Sequence, residues 1–224
     1  MFLEEVEAFY GHTKILLGIT LNVREGETCG LAGRIGAGKT TTFKSILGLL
    51  RSLGSIKFDG KEILKIPTFK IANMGIGYVP EGRRLYGELT VNENLEVARK
   101  GIEKGFSKIY DLFPELKGKK SNKVKTLSGG ERQMVAIARA LAGAPKLLLI
   151  EEPFEGLATP VVRRLNQTFQ EMKREGITSF ISESNIKHLE SIVDRVHIID
   201  RGRIIFSGDI KQTQEFISSK NLIL

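Results

Sequence analysis

The segment 33-GRIGAGKTTT-42 carries the residue types and the spacing that bind a phosphate group. It matches the pattern G-x-x-x-x-G-K-[ST], in which glycines let backbone N–H groups surround the phosphates and the lysine neutralises terminal oxygens. In such loops the hydroxyl after the lysine holds Mg²⁺. We therefore predict that this segment binds ATP or GTP with Mg²⁺. The residues assigned to the nucleotide are Gly33, Arg34, Gly36, Ala37, Gly38, Lys39, Thr40 and Thr41.

The sequence on either side of this loop supports the prediction. The apolar segment 28-TCGLAG-33 is typical of a buried strand, and the amphipathic segment 39-KTTTFKSILGLL-50 is typical of a helix. A helix that begins at the loop would point its N-terminal backbone N–H groups at the phosphates. The alternative, a glycine-rich turn with an incidental lysine, does not explain the strand and the helix around it.

A second segment, 127-LSGGERQ-133, also places small residues at the start of a helix. Ser128, Gly129 and Gly130 would leave the first backbone N–H groups of that helix open to an anion. The chain therefore contains two candidate phosphate sites, far apart in sequence.

The composition sets limits on the class of protein. A chain of 224 residues with 41% hydrophobic content can bury one sizeable core, with an inserted lobe. Its longest apolar runs fall far short of the roughly 20 residues that cross a bilayer, and its N-terminus is acidic, so we expect a cytosolic protein. The lone Cys29 excludes an internal disulfide. The net charge of +8 would suit an anionic partner, but the basic residues are spread along the chain and indicate mainly a solvated surface.

The order of predicted elements positions the two candidate sites. Strand-like segments dominate the first third, helical periodicity follows from about Val91, and strands and helices alternate after Pro145. Alternating elements with unbroken apolar strands predict a parallel sheet covered on both faces. The predicted strands are 2–9, 18–23, 28–33, 55–58, 75–79, 147–151, 178–182 and 195–200, and the later helices are 91–100, 106–113, 128–143, 160–175 and 186–193.

With both motifs present and in this order, the sequence resembles the ATP-binding subunits of ABC transporters, whose signature is L-S-G-G-[QE]. The resemblance covers nearly the whole chain. It implies that Ser128, Gly129 and Gly130 of one subunit close on the γ-phosphate held by another, so that two subunits enclose two nucleotides. It also assigns Tyr10 to stacking on adenine, although an aromatic residue that fills the core at a strand end is a fair alternative.

The segment 77-GYVPEGRRLYGELTVNENL-95 is the most discriminating part of the resemblance. Most ABC subunits carry Gln at the position of Glu81, whereas V-P-E-G-R-R followed by E-L-T-V-x-E-N-L looks like an ATPase of branched-chain amino acid and related amide importers. The resemblance places Glu81 in the loop that senses Mg²⁺ and faces the membrane partner.

The resemblance also explains the two acids in 147-LLLIEEPFEGLA-158. It implies that Glu151 orients Mg²⁺, together with Thr40 and Glu81, and that Glu152 acts as the general base or positions the attacking water. The family usually has Asp where this chain has Glu151, and one extra methylene moves the carboxylate by about 1.5 Å. Mg²⁺ requires a near-octahedral arrangement, so we expect a weakened metal site.

A second departure lies in 180-FISESNIKHL-189, where Ser184 stands at the position of the family's switch histidine. We assign Ser184 to catalysis with Glu152, and we expect its short side chain to reach less far than a histidine would. His12, His188 and His197 are interpreted as surface or core histidines. These departures predict slow ATP hydrolysis.

Together, these features predict an α/β fold with the parallel-sheet core of P-loop NTPases (RecA-like), an N-terminal antiparallel β subdomain and an inserted α-helical subdomain. The predicted boundaries are 1–87 and 144–224 for the nucleotide-binding core and 88–143 for the helical subdomain. The predicted function is ATP-driven uptake of a small solute by an ATPase dimer with itself or a sister subunit. Its expected partners are transmembrane permease subunits on the inner face of the cell membrane and, indirectly, a solute-binding protein, but no nucleic acid.

Three other interpretations remain at this point. A P-loop kinase would share 33-GRIGAGKT-40 but would not need 127-LSGGE-131. A soluble ABC-type ATPase that is not engaged in transport would share every motif. A weakly hydrolysing or non-catalytic subunit paired with an active sister ATPase would account for Glu151 and Ser184.

Overall fold

The structure, a computed structural model, describes residues 1–98 and 106–222, without the side chains of 106 and 107. Its strands are β1 (Phe2–Tyr10), β2 (Thr13–Asn22), β3 (Thr28–Ala32), β4 (Arg51–Phe58), β5 (Lys61–Glu62), β6 (Ile76–Val79), β7 (Leu147–Glu151), β8 (Ser179–Glu183), β9 (Arg195–Asp200) and β10 (Arg203–Gly208). Its α-helices are α1 (Lys39–Ile46), α2 (Thr68–Asn73), α3 (Val91–Ala98), α4 (Phe106–Leu112), α5 (Gly129–Ala142), α6 (Thr159–Arg174) and α7 (Ile210–Lys220).

The strands form two sheets. An antiparallel sheet has the order β2-β1-β4-β5, and a larger sheet has the order β10-β9-β3-β8-β7-β6. In the larger sheet all neighbouring strands are parallel except β10, which pairs antiparallel with β9. Every residue of β3, β7 and β8 is buried, as parallel strands covered on both faces must be. The predicted α/β fold with an antiparallel β subdomain is therefore confirmed.

Two hydrophobic cores cover the two faces of the larger sheet. On one face Ile150 and Ile181 pack with residues of α5 and α6, including Phe169. On the other face α1 and the antiparallel sheet enclose Phe43 and Phe180, whose ring centroids lie 5.0 Å apart. The parallel strands β3, β7 and β8 end at the same edge of the sheet, where ligands bind in open α/β folds. That edge carries the phosphate-binding loop and both predicted acids.

The structure corrects several predicted elements. The predicted helix 186–193 is wrong, because only Ile186–His188 forms a short 3-10 helix and the chain then turns toward β9. The Asn185 side chain accepts a hydrogen bond from the backbone N–H of Lys187 at 3.1 Å, and Ile186, Leu189 and Ile192 are buried at three-residue spacing, which suits the tighter helix. Helices α2 and α7 and strands β5 and β10 were not predicted.

The helical lobe agrees in position with the expected elements. Helices α3, α4 and α5 all lie within residues 88–143, and α3 is described as far as Ala98, while the end of the predicted helix 91–100 lies outside the described residues. The division into a core and an 88–143 subdomain stays a prediction. Within the described chain no helix is both long and apolar enough to cross a membrane.

Candidate active site

The phosphate-binding loop connects β3 to α1, and its glycines are required by the backbone. Gly36 and Gly38 have φ values of 81° and 119°, in the left-handed region that other residues rarely adopt. A Cβ atom on Gly33 would lie 2.4 Å from the carbonyl oxygen of Ile199, so no side chain fits there. Gly38 is the N-cap of α1, which places the first N–H groups of that helix at the loop. This cradle fits a bound phosphate.

Lys39 lies at the centre of the site and is buried. Its Nζ donates hydrogen bonds to the carbonyl oxygen of Gly33 at 2.6 Å and to the hydroxyl of Ser184 at 2.8 Å. It also forms an ion pair with Oε1 of Glu152 at 3.1 Å. A buried ammonium group in a cradle of backbone N–H groups provides the charge that the terminal phosphates of a nucleotide need.

Ser184 joins the cation to the predicted base. While its hydroxyl accepts from Lys39, it donates to Oε1 of Glu152 at 2.6 Å, and its backbone N–H donates to Oε2 at 3.1 Å. Glu152 itself has a φ of 40°, a strained backbone conformation that such sites often contain. The serine is short, as the sequence indicated, but it contacts both Lys39 and Glu152 because β7 and β8 are adjacent strands.

Glu151 lies in a different environment. Its side chain is 2% exposed, and it accepts a hydrogen bond from the Tyr78 hydroxyl at 3.1 Å and another from the backbone N–H of Glu81. Burial raises the pKa of the Glu151 carboxyl above its ordinary value, although these two hydrogen bonds oppose the shift. Burial and the nearby Glu151 carboxylate also raise the pKa of Tyr78. The longer side chain of Glu151 is therefore engaged with Tyr78.

A cavity of about 490 Å³ opens over the loop. Thr40 and Glu81 are among the described residues that line it and carry oxygen atoms, whereas Glu151 does not line it. No group of three metal-ligating side chains occurs in the part of the chain that the structure describes. This donor set fits Mg²⁺, which prefers oxygen ligands and usually shares them with substrate phosphates and water. The assignments of Thr40, Glu81 and Glu151 to the metal stay predictions, and of these three residues Thr40 and Glu81 line the cavity.

Tyr10 lies at the rim of this cavity. It is 44% exposed, and Lys44 donates a hydrogen bond to its hydroxyl at 3.3 Å with Nζ 5.6 Å from the ring centroid. The ring is accessible for stacking, so it does not fill the core, which was the alternative interpretation. Arg34 is exposed on the loop, and its carbonyl oxygen accepts a bond from Lys39 at 3.3 Å.

The signature segment lies apart from the cavity. Ser128 is the N-cap of α5, and its side chain and that of Glu131 form a reciprocal capping box. A Cβ atom on Gly130 would lie 2.6 Å from Cγ1 of Val161 in α6, whereas Gly129 faces open space. Of the described residues, Ser128, Gly129 and Gly130 are not among those that line the cavity. A single chain therefore does not bring its two candidate phosphate sites together.

Sequence reasoning missed two groups at the same edge of the sheet, the buried Glu183 and the half-buried His188. Glu183, the last residue of β8, lines the cavity with His188, whose Nδ1 lies 3.1 Å from Oε2 of Glu183. His188 was interpreted as a histidine outside the site. The signal in the sequence was an acid at the carboxyl end of a predicted parallel strand, directly before Ser184. His197 is buried and bonds to Ser207 and Asn22, as expected for a structural histidine.

Comparison with known proteins decides the family. The family model described as ABC transporter matches residues 16–155, which include the loop, the signature segment and both acids. The chain belongs to the ABC transporter family. It is an ATP-binding cassette of that family.

Individual relatives cover nearly the whole cassette. The chain is 36% identical over 208 residues to the high-affinity branched-chain amino acid transport ATP-binding protein BraG of Pseudomonas aeruginosa, covering 90% of this chain and 89% of BraG. It is 33% identical over 236 residues to the lipopolysaccharide export system ATP-binding protein LptB of Haemophilus influenzae, covering 99% and 95%. A crystal structure of the ADP conformation of an ABC transporter cassette superposes with a TM-score of 0.84 at 25% identity, covering 98% and 95%.

The predictions of family and of ATPase activity are thereby confirmed, and the kinase interpretation is excluded. The cassette binds nucleotide, as its relatives do. Cassettes of this family dimerise and associate with transmembrane components. The named relatives serve different transport systems, so the direction of transport and the solute need a separate argument.

Proposed function

We propose that this cassette powers the uptake of a small solute, a branched-chain amino acid or a related amide. The similarity to BraG carries the proposal, since it extends over 90% of the chain at 36% identity. The segment 77-GYVPEGRRLYGELTVNENL-95 supports it, because its pattern resembles that of importer ATPases of this group.

The site residues divide the work of hydrolysis. The backbone N–H groups of the loop and the Nζ of Lys39 hold the terminal phosphates, and Tyr10 stacks on the adenine ring. Glu152 accepts the proton of the attacking water, while Ser184 holds its carboxylate beside Lys39. Mg²⁺, when bound, supplies charge neutralisation at the phosphate oxygens. The terminal phosphates of ATP must compete with Glu152 and Ser184 for the Lys39 ammonium. Because Glu152 lies beside this ammonium, the general base stays at the phosphate end of the nucleotide, where hydrolysis occurs.

The proposed assembly is a dimer with itself or with a sister ATPase. Ser128, Gly129 and Gly130 of one copy would bind the γ-phosphate held by the other, since they lie away from the cavity of their own chain. The dimer would bind permease subunits at the inner face of the cell membrane and act on a solute-binding protein only indirectly. Nothing in this assembly requires nucleic acid.

A transport assay tests the proposal. The cassette would be produced with the membrane subunits encoded beside its gene, and the complex would be placed in vesicles with its solute-binding protein. ATP-dependent accumulation of labelled leucine, isoleucine, valine or urea supports uptake, and the complex carrying Lys39→Ala is the control without nucleotide binding.

Export of a lipid is the second candidate, because LptB matches 99% of the chain. In the same vesicles, ATP-dependent removal of a labelled lipopolysaccharide with no accumulation of amino acid or amide would overturn the uptake proposal.

A further inference from the structure

We propose that Glu183 and His188 position the carboxylate of Glu152 for ATP hydrolysis. The buried Glu183 carboxyl and the half-buried His188 imidazole form a pair behind the predicted base, and neither residue belongs to the phosphate-binding loop or to the signature segment. Glu183 is a positioning residue in this proposal, because it acts on the reacting water through Glu152.

The first observation is the place of Glu183 in the fold. Its side chain is 2% exposed at the end of β8, next to the strand that carries Glu152. Its Oε1 accepts a hydrogen bond from the backbone N–H of Phe154 at 3.3 Å. Phe154 lies two residues after Glu152, whose φ of 40° needs support from its surroundings. Glu183 therefore holds the turn that orients the base.

The second observation is the contact between the two carboxyl groups. Glu152 is a direct side-chain hydrogen-bond partner of Glu183. The buried Glu183 carboxyl and the partly exposed Glu152 carboxyl repel each other when both are ionised, so one of them must hold a proton. Lys39 stabilises the ionised form of Glu152, whereas in the described part of the chain the only ion-pair partner of Glu183 is His188, and only when that ring is protonated. The proton therefore resides on Glu183.

This assignment agrees with the electrostatics of the pair. Burial, followed by the Glu152 charge, raises the pKa of Glu183 to about 8. Burial also lowers the pKa of His188, so its ring is neutral at pH 7 and can donate from Nδ1 to Oε2 of Glu183. The protonated Glu183 carboxyl then donates a hydrogen bond to the Glu152 carboxylate. In the described part of the chain, the titratable groups in contact with Glu183 include Glu152 and His188, and Lys39 acts on Glu183 through Glu152.

The third observation concerns the support of the imidazole. The His188 ring packs against Phe154 with centroids 5.1 Å apart, and Phe154 packs edge-on against Phe169 at 5.6 Å. The ring thus touches both Glu183 and the residue that Glu183 holds. The 3-10 turn at Ile186–His188 makes this possible, because it returns the chain to the cavity directly after β8.

The proposal predicts a pH dependence that purely structural support would not produce. Above about pH 8 Glu183 loses its proton, stops donating to Glu152 and repels it, so kcat should fall on the alkaline side. Glu183→Gln donates at every pH, so its kcat should stay level between pH 7 and 9. Glu183→Ala should lower kcat at least tenfold at pH 7.5 with little change in KM.

His188→Phe keeps the packing on Phe154 and removes the ring nitrogen. It should lower kcat about fivefold and move the alkaline fall to higher pH, because Glu183 loses a donor that favours its ionised form. Glu190→Gln is the matched control, since Glu190 is exposed on the same segment and bonds to Gln214, outside the cavity.

The experiment measures phosphate release by the full chain from pH 6.5 to 9.5, with ATP binding to each variant measured by calorimetry. Normal binding with an altered kcat profile supports the proposal. An alkaline fall that is unchanged in Glu183→Gln, or a wild-type kcat in His188→Phe, would overturn it. Circular dichroism at pH 7 and 9 separates loss of fold from loss of positioning.

Discussion

Glu151 and Glu152 are adjacent in the chain but lie in two different environments. Glu151, in the last position of β7, points to the face of the sheet that carries Tyr78 and is almost fully buried. Glu152 lies just past the strand and forms an ion pair with Lys39 in the open cavity. Glu151 belongs to the strand, whereas Glu152 follows it with a φ of 40°, and this change in the backbone separates the two acids.

The difference shows that two identical side chains acquire different chemistry from their partners. Burial raises the pKa of Glu151, and its hydrogen bonds come from a phenol and a backbone N–H. Glu152 is bound instead by a cation and by a serine hydroxyl. We infer that Glu152 is the reacting group and that Glu151 is a supporting one. Variants of Glu152 and its partners, and of Glu151 and its partners, can test this division of roles.

The largest expected effect is on the Glu152 side. Glu152→Gln keeps the shape of the side chain and removes the base, so the hydrolysis rate should fall by about 10²–10⁴-fold while ATP binding is retained. The variant should also accumulate as a closed dimer with ATP in size-exclusion chromatography. Glu175→Gln, exposed at the end of α6, is the control. Hydrolysis at a wild-type rate in Glu152→Gln would contradict the division of roles.

The next effect concerns the partner of Glu152. Lys39→Ala removes the buried cation of the loop, and we expect ATP affinity measured by calorimetry to fall more than about 100-fold, since charge-assisted contacts are the strong ones. Lys44→Ala is the matched control on the same helix, because Lys44 is not among the described residues that line the cavity and its Nζ donates to the hydroxyl of the rim residue Tyr10. If both variants bind ATP alike, the loop assignment fails.

A smaller effect is expected on the Glu151 side. Glu151→Asp shortens the side chain by about 1.5 Å, breaks the bond to Tyr78 and restores the family's usual acid. We expect the hydrolysis rate to rise by about two- to fivefold and half-saturation to require less Mg²⁺, because the carboxylate is released toward the cavity.

Tyr78→Phe is the matched variant, since it breaks the same hydrogen bond without shortening the acid. Tyr78→Phe should also raise the hydrolysis rate. In the double variant the effects of Tyr78→Phe and Glu151→Asp on this rate should not add, because both remove the same hydrogen bond. A rate that falls in Glu151→Asp would show that the backbone has adapted to the longer residue.

The last test is the pH dependence of stability, to which the buried acids Glu183 and Glu151 both contribute. Glu183 titrates at about 8 in the fold against 4.5 when exposed, so the folded protein binds more protons between these values. The free energy of unfolding should therefore decrease as pH rises from about 4.5 to 8, by on the order of a few kcal/mol. The raised pKa of Glu151 acts in the same direction.

Urea unfolding at pH 5, 6.5 and 8 would measure this slope. Glu183→Gln and Glu151→Gln should each flatten it relative to wild type, and the difference from wild type removes the opposing contributions of His188 and His197, whose pKa values are lowered by burial. Parallel curves for wild type and Glu183→Gln would mean that Glu183 stays ionised in the fold.

The sequence by itself determined the parts of the protein that depend on contiguous residues. The loop 33-GRIGAGKTTT-42 and its flanking strand and helix could be predicted because the motif requires particular glycines and one lysine at fixed spacing. Ser128 could be placed at a helix N-terminus for the same reason, and its capping box with Glu131 agrees. The parallel sheet followed from unbroken apolar strands.

Only the tertiary structure decided which distant groups meet. Glu183 and His188 face Glu152 because β7 and β8 are neighbours and the chain turns back after β8, a contact that no local pattern encodes. Tyr78 reaches Glu151 because β6 and β7 pair in register, although the two residues are 73 positions apart in the chain. Local periodicity reports which face of an element is apolar, whereas the pKa of a buried acid depends on the atoms that neighbouring strands bring against it.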